Sequence, residues 1–205
     1  MPPAFIYFDL GNVILPFDRE HQYRQMAEVA GIGAEQVATA VDGALTEEVE
    51  SGLISTDDYY ERFCQATDSR PDATAFRSAG DDFFQLDYDV LPVVSQLFRA
   101  GHRLGILSNT SESHWQFVTN GQYRVLPGYF EQLVLSYEVG VMKPDAKIFA
   151  AAQEAAGVPA DQIFFTDDRE DNVAGAKAAG FDAVLFTGAK QLIDDLASRG
   201  VEFDL

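Results

Sequence analysis

The stretch Phe5-Ile6-Tyr7-Phe8-Asp9-Leu10-Gly11-Asn12 decides the fold of this chain. Its first four residues are apolar or aromatic, and Gly11-Asn12 favours a turn, so the stretch predicts a short buried strand that ends at Asp9. A strand that is apolar on both faces is typical of a parallel sheet covered by helices. We therefore expect Asp9 to stand at the carboxyl end of a buried strand.

The rest of the chain repeats this pattern of an apolar run followed by a helical one. Further strands are predicted at 103–108, 132–135, 162–166 and 183–186, and helices at 90–100, 113–120, 144–156, 172–179 and 190–198. Gly101, Gly157, Gly180 and Gly200 stand where helices would end. Alternation of strands and helices predicts an α/β fold, a doubly wound parallel sheet with helices on both faces.

Residues 17–87 interrupt the alternation, because they show helical spacing without a strand-like run. Helices are predicted at 17–29, 34–49, 55–66 and 73–86, and Ser55 followed by Asp58 is an acidic variant of a capping box. Cys64 falls within one of these helices, where we expect it to pack. The sequence thus predicts a core of residues 1–16 and 88–205, with a small all-helical domain of residues 17–87 inserted after the first strand.

Composition excludes several classes of function. Hydrophobic residues make up 47% and charged residues 23% of the 205 residues, which is ordinary for a globular protein. A formal net charge of −19 repels polyanions, so we expect no nucleic-acid partner. The chain has no apolar run long enough for a membrane helix, no signal-like flank and a single cysteine, so we expect a cytoplasmic protein without a membrane partner. Its oligomeric state cannot be read from the sequence.

Candidate catalytic residues follow the predicted strands. Ligands bind at the carboxyl edge of open parallel sheets, which draws attention to Asp9, Ser108-Asn109, Lys143 and Asp167-Asp168. An aspartate can attack phosphorus, provided that a hard cation held by carboxylates offsets the repulsion of the phosphate. Magnesium suits such oxygen ligands. Ser108, Asn109 and backbone amides can bind phosphate oxygens, and Lys143 can supply positive charge to the transferring group.

Each of these residues alone has a structural explanation. Asp9 can cap a turn or a helix, and Ser108-Asn109 can belong to a capping run. Lys143-Pro144 can form a surface turn, and Asp167-Asp168 can open a solvated acidic loop before a helix. The four groups together at predicted strand ends or helix starts favour a phosphoryl-transfer site.

The same segments resemble the four motifs of the haloacid dehalogenase superfamily, in order and spacing, over nearly the whole chain. The segments are Phe8-Asp9-Leu10-Gly11-Asn12-Val13, Leu107-Ser108-Asn109-Thr110, Val141-Met142-Lys143-Pro144, and Phe165-Thr166-Asp167-Asp168 through Asn172. The resemblance implies a Rossmann-like core, a helical cap after the first strand, and hydrolysis of a small phosphorylated metabolite through an aspartyl phosphate.

The resemblance also implies roles for individual residues. Asp9 is nucleophile and Mg²⁺ ligand, and the Gly11 carbonyl is a second ligand. Asp168 is the first choice for the remaining protein ligand and Asp167 the second, since the loop aligns either way. Ser108, Asn109 and Lys143, with Gly11 and Asn12 of the loop after Asp9, bind the substrate.

Gly11 departs from the family pattern, since phosphatases of the family carry there an aspartate that serves as general acid and base. Loss of such a group costs roughly 10²–10⁴-fold in rate. A hemiacetal leaving group tolerates the loss best, and the motifs resemble bacterial glucose-1-phosphate phosphatases, so a sugar 1-phosphate is the substrate hypothesis. His21 and Asp18, just beyond the nucleophile loop, are candidates for a substitute proton donor.

Two other functions remain open at this stage. A haloacid dehalogenase uses the same aspartate on carbon and also lacks the second aspartate, but it needs no metal, and the carboxylates of Asp167 and Asp168 would repel a haloacid anion. A catalytically silent phosphate-binding protein could keep this fold after losing its acid. Retention of Asp9, Ser108 and Lys143 favours an active enzyme over a silent one.

Overall fold

The computed structural model describes residues 2–120, 123 and 126–202, and it contains a five-stranded parallel sheet. The strands, in chain order, are β1 (Phe5–Phe8), β2 (Leu104–Ser108), β3 (Gln132–Leu135), β4 (Ile163–Asp167) and β5 (Asp182–Leu185). Their order across the sheet is β3-β2-β1-β4-β5. Every predicted strand is present within one residue of its predicted bounds. The central strand β1 is fully buried, as its apolar sequence predicts.

Helices join the strands and form the inserted part of the chain. They are α1 (Arg19–Ala30), α2 (Ala34–Val41), α3 (Ala44–Glu50), α4 (Thr56–Thr67), α5 (Ala73–Asp81), α6 (Val90–Arg99), α7 (Glu112–Thr119), α8 (Leu126–Tyr129), α9 (Ser136–Val139), α10 (Ala146–Ala156), α11 (Glu170–Ala178) and α12 (Ala189–Ser198), with a 3₁₀ turn at Ala160–Gln162. Within the described residues, no helix is both long and apolar enough to cross a lipid bilayer.

Both faces of the sheet are buried, because alternate residues of each strand point to opposite sides. Ile6 and Phe8 of β1 belong to one apolar cluster, which includes residues of α6 and α12. Phe5 and Tyr7 belong to a second cluster, which includes residues of α10 and α11. The doubly wound α/β fold predicted from the sequence is therefore confirmed.

We call residues 17–87 the inserted segment. The described structure shows five helices there, α1 to α5, around their own apolar cluster, which includes Met26, Val37, Phe63 and Phe76. Cys64 belongs to the same cluster, which confirms the packing role expected for it. The bounds of a two-domain division stay a prediction.

Two predicted helices of the inserted segment differ from the structure. The pattern at 34–49 forms two helices rather than one, because Gly43 adopts a φ of +77° between α2 and α3. The helix predicted at 73–86 ends at Asp81, after which a bridge from Phe84 to Phe17 joins the two ends of the inserted segment. Apolar spacing continued through both breaks, so periodicity alone could not reveal them. The capping box of Ser55 and Asp58 is confirmed.

Candidate active site

Adjacent strands bring the acidic and hydroxyl candidates to one edge of the sheet. Strand β1 pairs with β2 on one side and with β4 on the other, with Phe8 opposite Ile106 and Thr166. Asp9 directly follows β1, Ser108 ends β2 and Asp167 ends β4. Because the strands are parallel, all three residues lie at the carboxyl edge, as the sequence predicts.

Lys143 reaches this edge from a loop rather than from a strand end. It lies between α9 and α10, where the Asn109 side chain holds its backbone by two hydrogen bonds. Lys143 N donates to Asn109 Oδ1 at 2.7 Å, and Asn109 Nδ2 donates to Lys143 O at 3.0 Å. The ammonium donates to Leu107 O at 2.8 Å and lies 2.9 Å from Asp9 Oδ1 and 2.6 Å from Asp167 Oδ2. Lys143 thus bridges the ends of β1 and β4.

The two acidic residues after β4 have different surroundings. Asp167 is fully buried, and its oxygens accept hydrogen bonds from Lys143 Nζ, Arg169 N and Asn172 Nδ2. Asp168 is half-buried and faces the cleft, where Oδ2 accepts one hydrogen bond from Asn12 Nδ2 at 3.1 Å. Asp168 therefore keeps more acceptor capacity for a ligand than Asp167.

The charges of this cluster leave an excess of negative charge. One carboxylate oxygen from each of Asp9, Asp167 and Asp168 lies within 4.8 Å of the other two. Burial raises the pKa of Asp9 to about 7, although Lys143 opposes the shift. Burial lowers the pKa of Lys143, but Asp9 and Asp167 more than offset this, and the net shift is upward. The cluster contains three carboxylates and one ammonium group, a charge balance that suits a hard divalent cation. Such a cation would lower the pKa of Asp9 and favour its ionised form.

A cleft of about 260 Å³ opens above Asp9. Its walls come from the sheet edge and from the inserted segment. The lining residues from the sheet side include Asp9, Gly11, Asn12, Ser108, Asn109, Thr110, His114, Met142, Asp168, Arg169 and Asn172, and those from the inserted segment are Phe17, Arg19, Glu50, Phe83 and Phe84. The inserted segment thus closes over the site.

The predicted phosphate-binding residues differ in how far their polar groups are already engaged in hydrogen bonds. Ser108 is buried, and its hydroxyl makes only a long contact of 3.3 Å to Asn109 O among the described residues. The Asn109 amide is occupied by the Lys143 backbone, so its contacts indicate a positioning role. Asn12 adopts a φ of +56° and turns the loop past Gly11. Substrate binding by these residues stays a prediction.

The structure does not bring the predicted proton donors to Asp9. Asp18 is exposed and caps α1 by accepting a hydrogen bond from His21 N at 3.0 Å, and the His21 side chain is exposed. Neither residue lines the cleft. The cleft instead contains Arg19 and Glu50, neither of which is a site residue predicted from the sequence. Arg19 directly follows the nucleophile loop, but Glu50 lies in an acidic helix with no local signal of a site.

Comparison with known proteins gives a consistent picture. The sequence model of the haloacid dehalogenase-like hydrolases matches residues 6–180. Phosphatase MT3486 of Mycobacterium tuberculosis is 26% identical, with 100% of this chain and 98% of that protein covered. A D-ribitol-5-phosphate phosphatase of Bacteroides thetaiotaomicron is 25% identical, with 86% and 88% covered.

The chain is also similar to a solved structure over most of its length and to a dehalogenase over about half of its length. The HAD family enzyme bt-2542 of Bacteroides thetaiotaomicron, in complex with magnesium and inorganic phosphate, superimposes with a TM-score of 0.78 at 26% identity, covering 91% of this chain and 95% of that one. A (S)-2-haloacid dehalogenase of Pseudomonas putida is 30% identical, but the match covers only 54% of this chain and 48% of that protein.

Proposed function

Because the chain belongs to the haloacid dehalogenase-like hydrolases, we propose that it is a Mg²⁺-dependent phosphatase that acts on small phosphorylated metabolites through an aspartyl phosphate at Asp9. The observation that carries the proposal is the buried cluster of Asp9, Lys143 and Asp167 with Asp168 beside it. Asp9, Asp168 and the Gly11 carbonyl would hold the cation, and Asp167 would hold Lys143. A cytoplasmic location stays a prediction from composition.

The residues of the site divide the work of phosphoryl transfer. A bound Mg²⁺ supplies positive charge beside the phosphate. Asp9 attacks phosphorus, while the Lys143 ammonium attracts a phosphate oxygen and offsets charge on the nucleophile. The Ser108 hydroxyl can donate to a second phosphate oxygen. Asn109 holds the Lys143 backbone and Asp167 holds its ammonium. Little conformational entropy is therefore lost in placing Lys143 when the substrate binds.

The comparisons support phosphate rather than haloacid chemistry. Phosphatase MT3486 and the D-ribitol-5-phosphate phosphatase align along most of their length, whereas the match to the Pseudomonas putida dehalogenase described above covers about half of either chain. The two carboxylates near the nucleophile, Asp167 and Asp168, would also repel a haloacid anion that arrives without a cation. Chloride release from 2-chloropropionate that persists in excess EDTA would instead establish a dehalogenase.

A Mg²⁺-dependent screen of phosphorylated metabolites tests the proposal, with Asp9→Asn as the critical variant. We expect turnover and phosphorylated Asp9 in the wild type and neither in Asp9→Asn. Asp161→Asn is the matched control, because this exposed residue precedes β4 at the opposite edge of the sheet. Absence of both turnover and phosphoaspartate in the wild type would support a silent phosphate-binding protein.

The substrate hypothesis from the sequence is a sugar 1-phosphate. Gly11 supplies no acid, and an anomeric oxygen leaves more readily than a simple alcohol. We expect faster turnover of glucose 1-phosphate than of glycerol phosphate in the same screen. Equal or faster turnover of glycerol phosphate would reject a sugar 1-phosphate while leaving the phosphatase in place.

A further inference from the structure

The loop after Asp9 has no room for the acidic side chain that Gly11 lacks. A Cβ atom at Gly11 would stand 2.8 Å from Phe17 Cε1, closer than carbon atoms pack. Phe17 is held in turn by edge-to-face contacts with Phe83 and Phe84, whose ring centroids lie 5.5 Å and 6.2 Å from its own. Any side chain that protonates the leaving oxygen therefore belongs to another part of the cleft.

Glu50 stands at the end of α3 and lines the same cleft as Asp9. Its backbone is fixed to the sheet edge, because Ser136 Oγ donates to Glu50 O at 2.5 Å and accepts from Thr110 N at 2.9 Å. Thr110 lies two residues beyond the end of β2. The position of Glu50 is thus tied to the strand that carries Ser108.

Burial of Glu50 favours the protonated form of its carboxyl group. The residue is 8% exposed, and burial raises the pKa of its carboxyl group despite Arg19, whose Nη2 lies 4.0 Å from Oε1. The other charged or titratable groups that act on it are Glu47 of α3, Tyr59 of α4, Lys143 of the loop before α10 and Arg169 before α11. Phosphate entering the cleft adds negative charge, which raises the pKa further.

His114 is the other titratable side chain of the cleft that is neither a cluster member nor an arginine. Burial lowers the pKa of His114 to about 4, so its imidazole is neutral at pH 7. A neutral imidazole holds no acidic proton to give, whereas a protonated carboxyl group does. Glu50 is therefore better suited to protonate a leaving oxygen.

We propose that Glu50 is the proton-transferring residue of this site, an inference that rests on the proposed phosphatase function. In the first step an Asp9 oxygen bonds to phosphorus, the bond from phosphorus to the leaving oxygen breaks with its electron pair on that oxygen, and protonated Glu50 gives this oxygen its proton. In the second step water attacks phosphorus and gives a proton to the Glu50 carboxylate. The bond from phosphorus to Asp9 then breaks, and phosphate and free Asp9 result.

The test compares two substrates with different needs for a proton. A p-nitrophenolate leaves without protonation, whereas the alkoxide of glycerol 2-phosphate requires it. In Glu50→Gln we expect phosphorylation of Asp9 by glycerol 2-phosphate to slow by roughly 10²–10⁴-fold, with little change for p-nitrophenyl phosphate. Because hydrolysis also loses its base, p-nitrophenyl phosphate should give a burst of one p-nitrophenolate per site and trapped phosphoaspartate.

Glu35→Gln is the matched control, since it removes the same charge at an exposed position of helix α2 and Glu35 is not among the groups that act on Glu50, and we expect it to behave as the wild type. If Glu50→Gln fails to fold, the wild type alone provides the test. Its rate with glycerol 2-phosphate, divided by that with p-nitrophenyl phosphate, should fall as pH rises through the pKa of Glu50.

Three results would overturn the inference. A Glu50→Gln variant in which phosphorylation of Asp9 slows equally with both substrates, or with neither, shows that Glu50 has a structural role or none. A wild-type rate ratio that does not change with pH excludes an acid at this position. Absence of both turnover and phosphorylated Asp9 in the wild type across the metabolite screen rejects the proposed function together with the inference, whereas the first two results reject the role of Glu50 alone.

Discussion

Phe17 controls what position 11 can hold. The ring lies against the Gly11 backbone and contacts Phe83 and Phe84, which also line the cleft. Packing therefore favours glycine at position 11, whose carbonyl also remains available to a cation. A side chain introduced there must displace an aromatic ring from an aromatic cluster, which is costly in a well-packed region.

We predict that Gly11→Asp, which restores the common family residue, lowers the free energy of unfolding by about 1–3 kcal/mol. Urea unfolding measures the change. Phe17→Ala should remove most of this extra cost when combined with Gly11→Asp, giving a favourable coupling in a double-mutant cycle.

Gly33→Asp is the control for the added carboxylate. Gly33 precedes α2 with open space around it, and aspartate is a good N-cap, so this change should be neutral or stabilising. Additive effects of Gly11→Asp and Phe17→Ala would contradict the steric explanation.

At the scale of elements, the turn after α3 fastens the inserted segment to the sheet. Gly52 adopts a φ of +65°, and a Cβ there would meet Tyr137 O of α9 at 2.2 Å. Two residues earlier, Glu50 O accepts the hydrogen bond from Ser136. The two contacts bring α3 and α9 together and set the position of the Glu50 side chain in the cleft.

We predict that Gly52→Ala lowers stability more than Gly31→Ala does. Both positions have a similar positive φ, +65° and +69°, so both substitutions carry a backbone cost of about 1 kcal/mol. Only Gly52 faces a backbone oxygen, whereas Gly31 has open space. Thermal unfolding measures the difference, and Gly52→Ala should also reduce phosphatase activity by shifting Glu50. Equal effects of the two substitutions would refute the docking role of Gly52.

At the scale of the whole molecule, two titratable groups are buried between the inserted segment and the sheet. Asp81 ends α5, accepts a hydrogen bond from Ser113 Oγ at 2.5 Å, and lies 3.7 Å from His114 Nε2. Burial raises the pKa of Asp81 to about 6 and lowers that of His114 to about 4. With His114 neutral at pH 7, the approach of the two side chains is not an ion pair.

The two groups change stability with pH in opposite directions. Between about pH 4 and 6, folded Asp81 binds more protons than unfolded Asp81, so its contribution to stability falls as pH rises. Folded His114 binds fewer protons than unfolded His114 over a similar range, so its contribution rises with pH. The wild type should therefore show a weaker pH dependence of stability than either group alone.

The Asp81→Asn variant removes the effect of Asp81 on the pH dependence of stability, so the opposite effect of His114 is no longer offset. We predict that the free energy of unfolding of this variant, relative to the wild type, increases from pH 4 to pH 7 by up to about 3 kcal/mol, since the cost of an ionised buried Asp81 is gone. Urea unfolding across this range measures it. The exposed neighbour Asp82 supplies the control Asp82→Asn, which should show no such rise. A constant difference between Asp81→Asn and the wild type would contradict the assignment.

The sequence by itself determined the sheet and one edge of the site. Short apolar runs bounded by turns are typical of strands in a doubly covered sheet, and parallel strands place Asp9, Ser108 and Asp167 at the same edge. These inferences depend on local pattern and on a general rule of topology. They needed no knowledge of distant contacts.

Only the tertiary structure decided how the rest of the site is assembled. Lys143 arrives through a loop that Asn109 holds, Asp167 is committed to Lys143 while Asp168 faces the cleft, and Glu50 is fixed by Ser136. Each of these contacts joins residues far apart in the chain, and no periodicity or spacing encodes them. The contact between Phe17 and Gly11 could not be predicted either. A glycine in the sequence does not show which neighbour fills the space beside it.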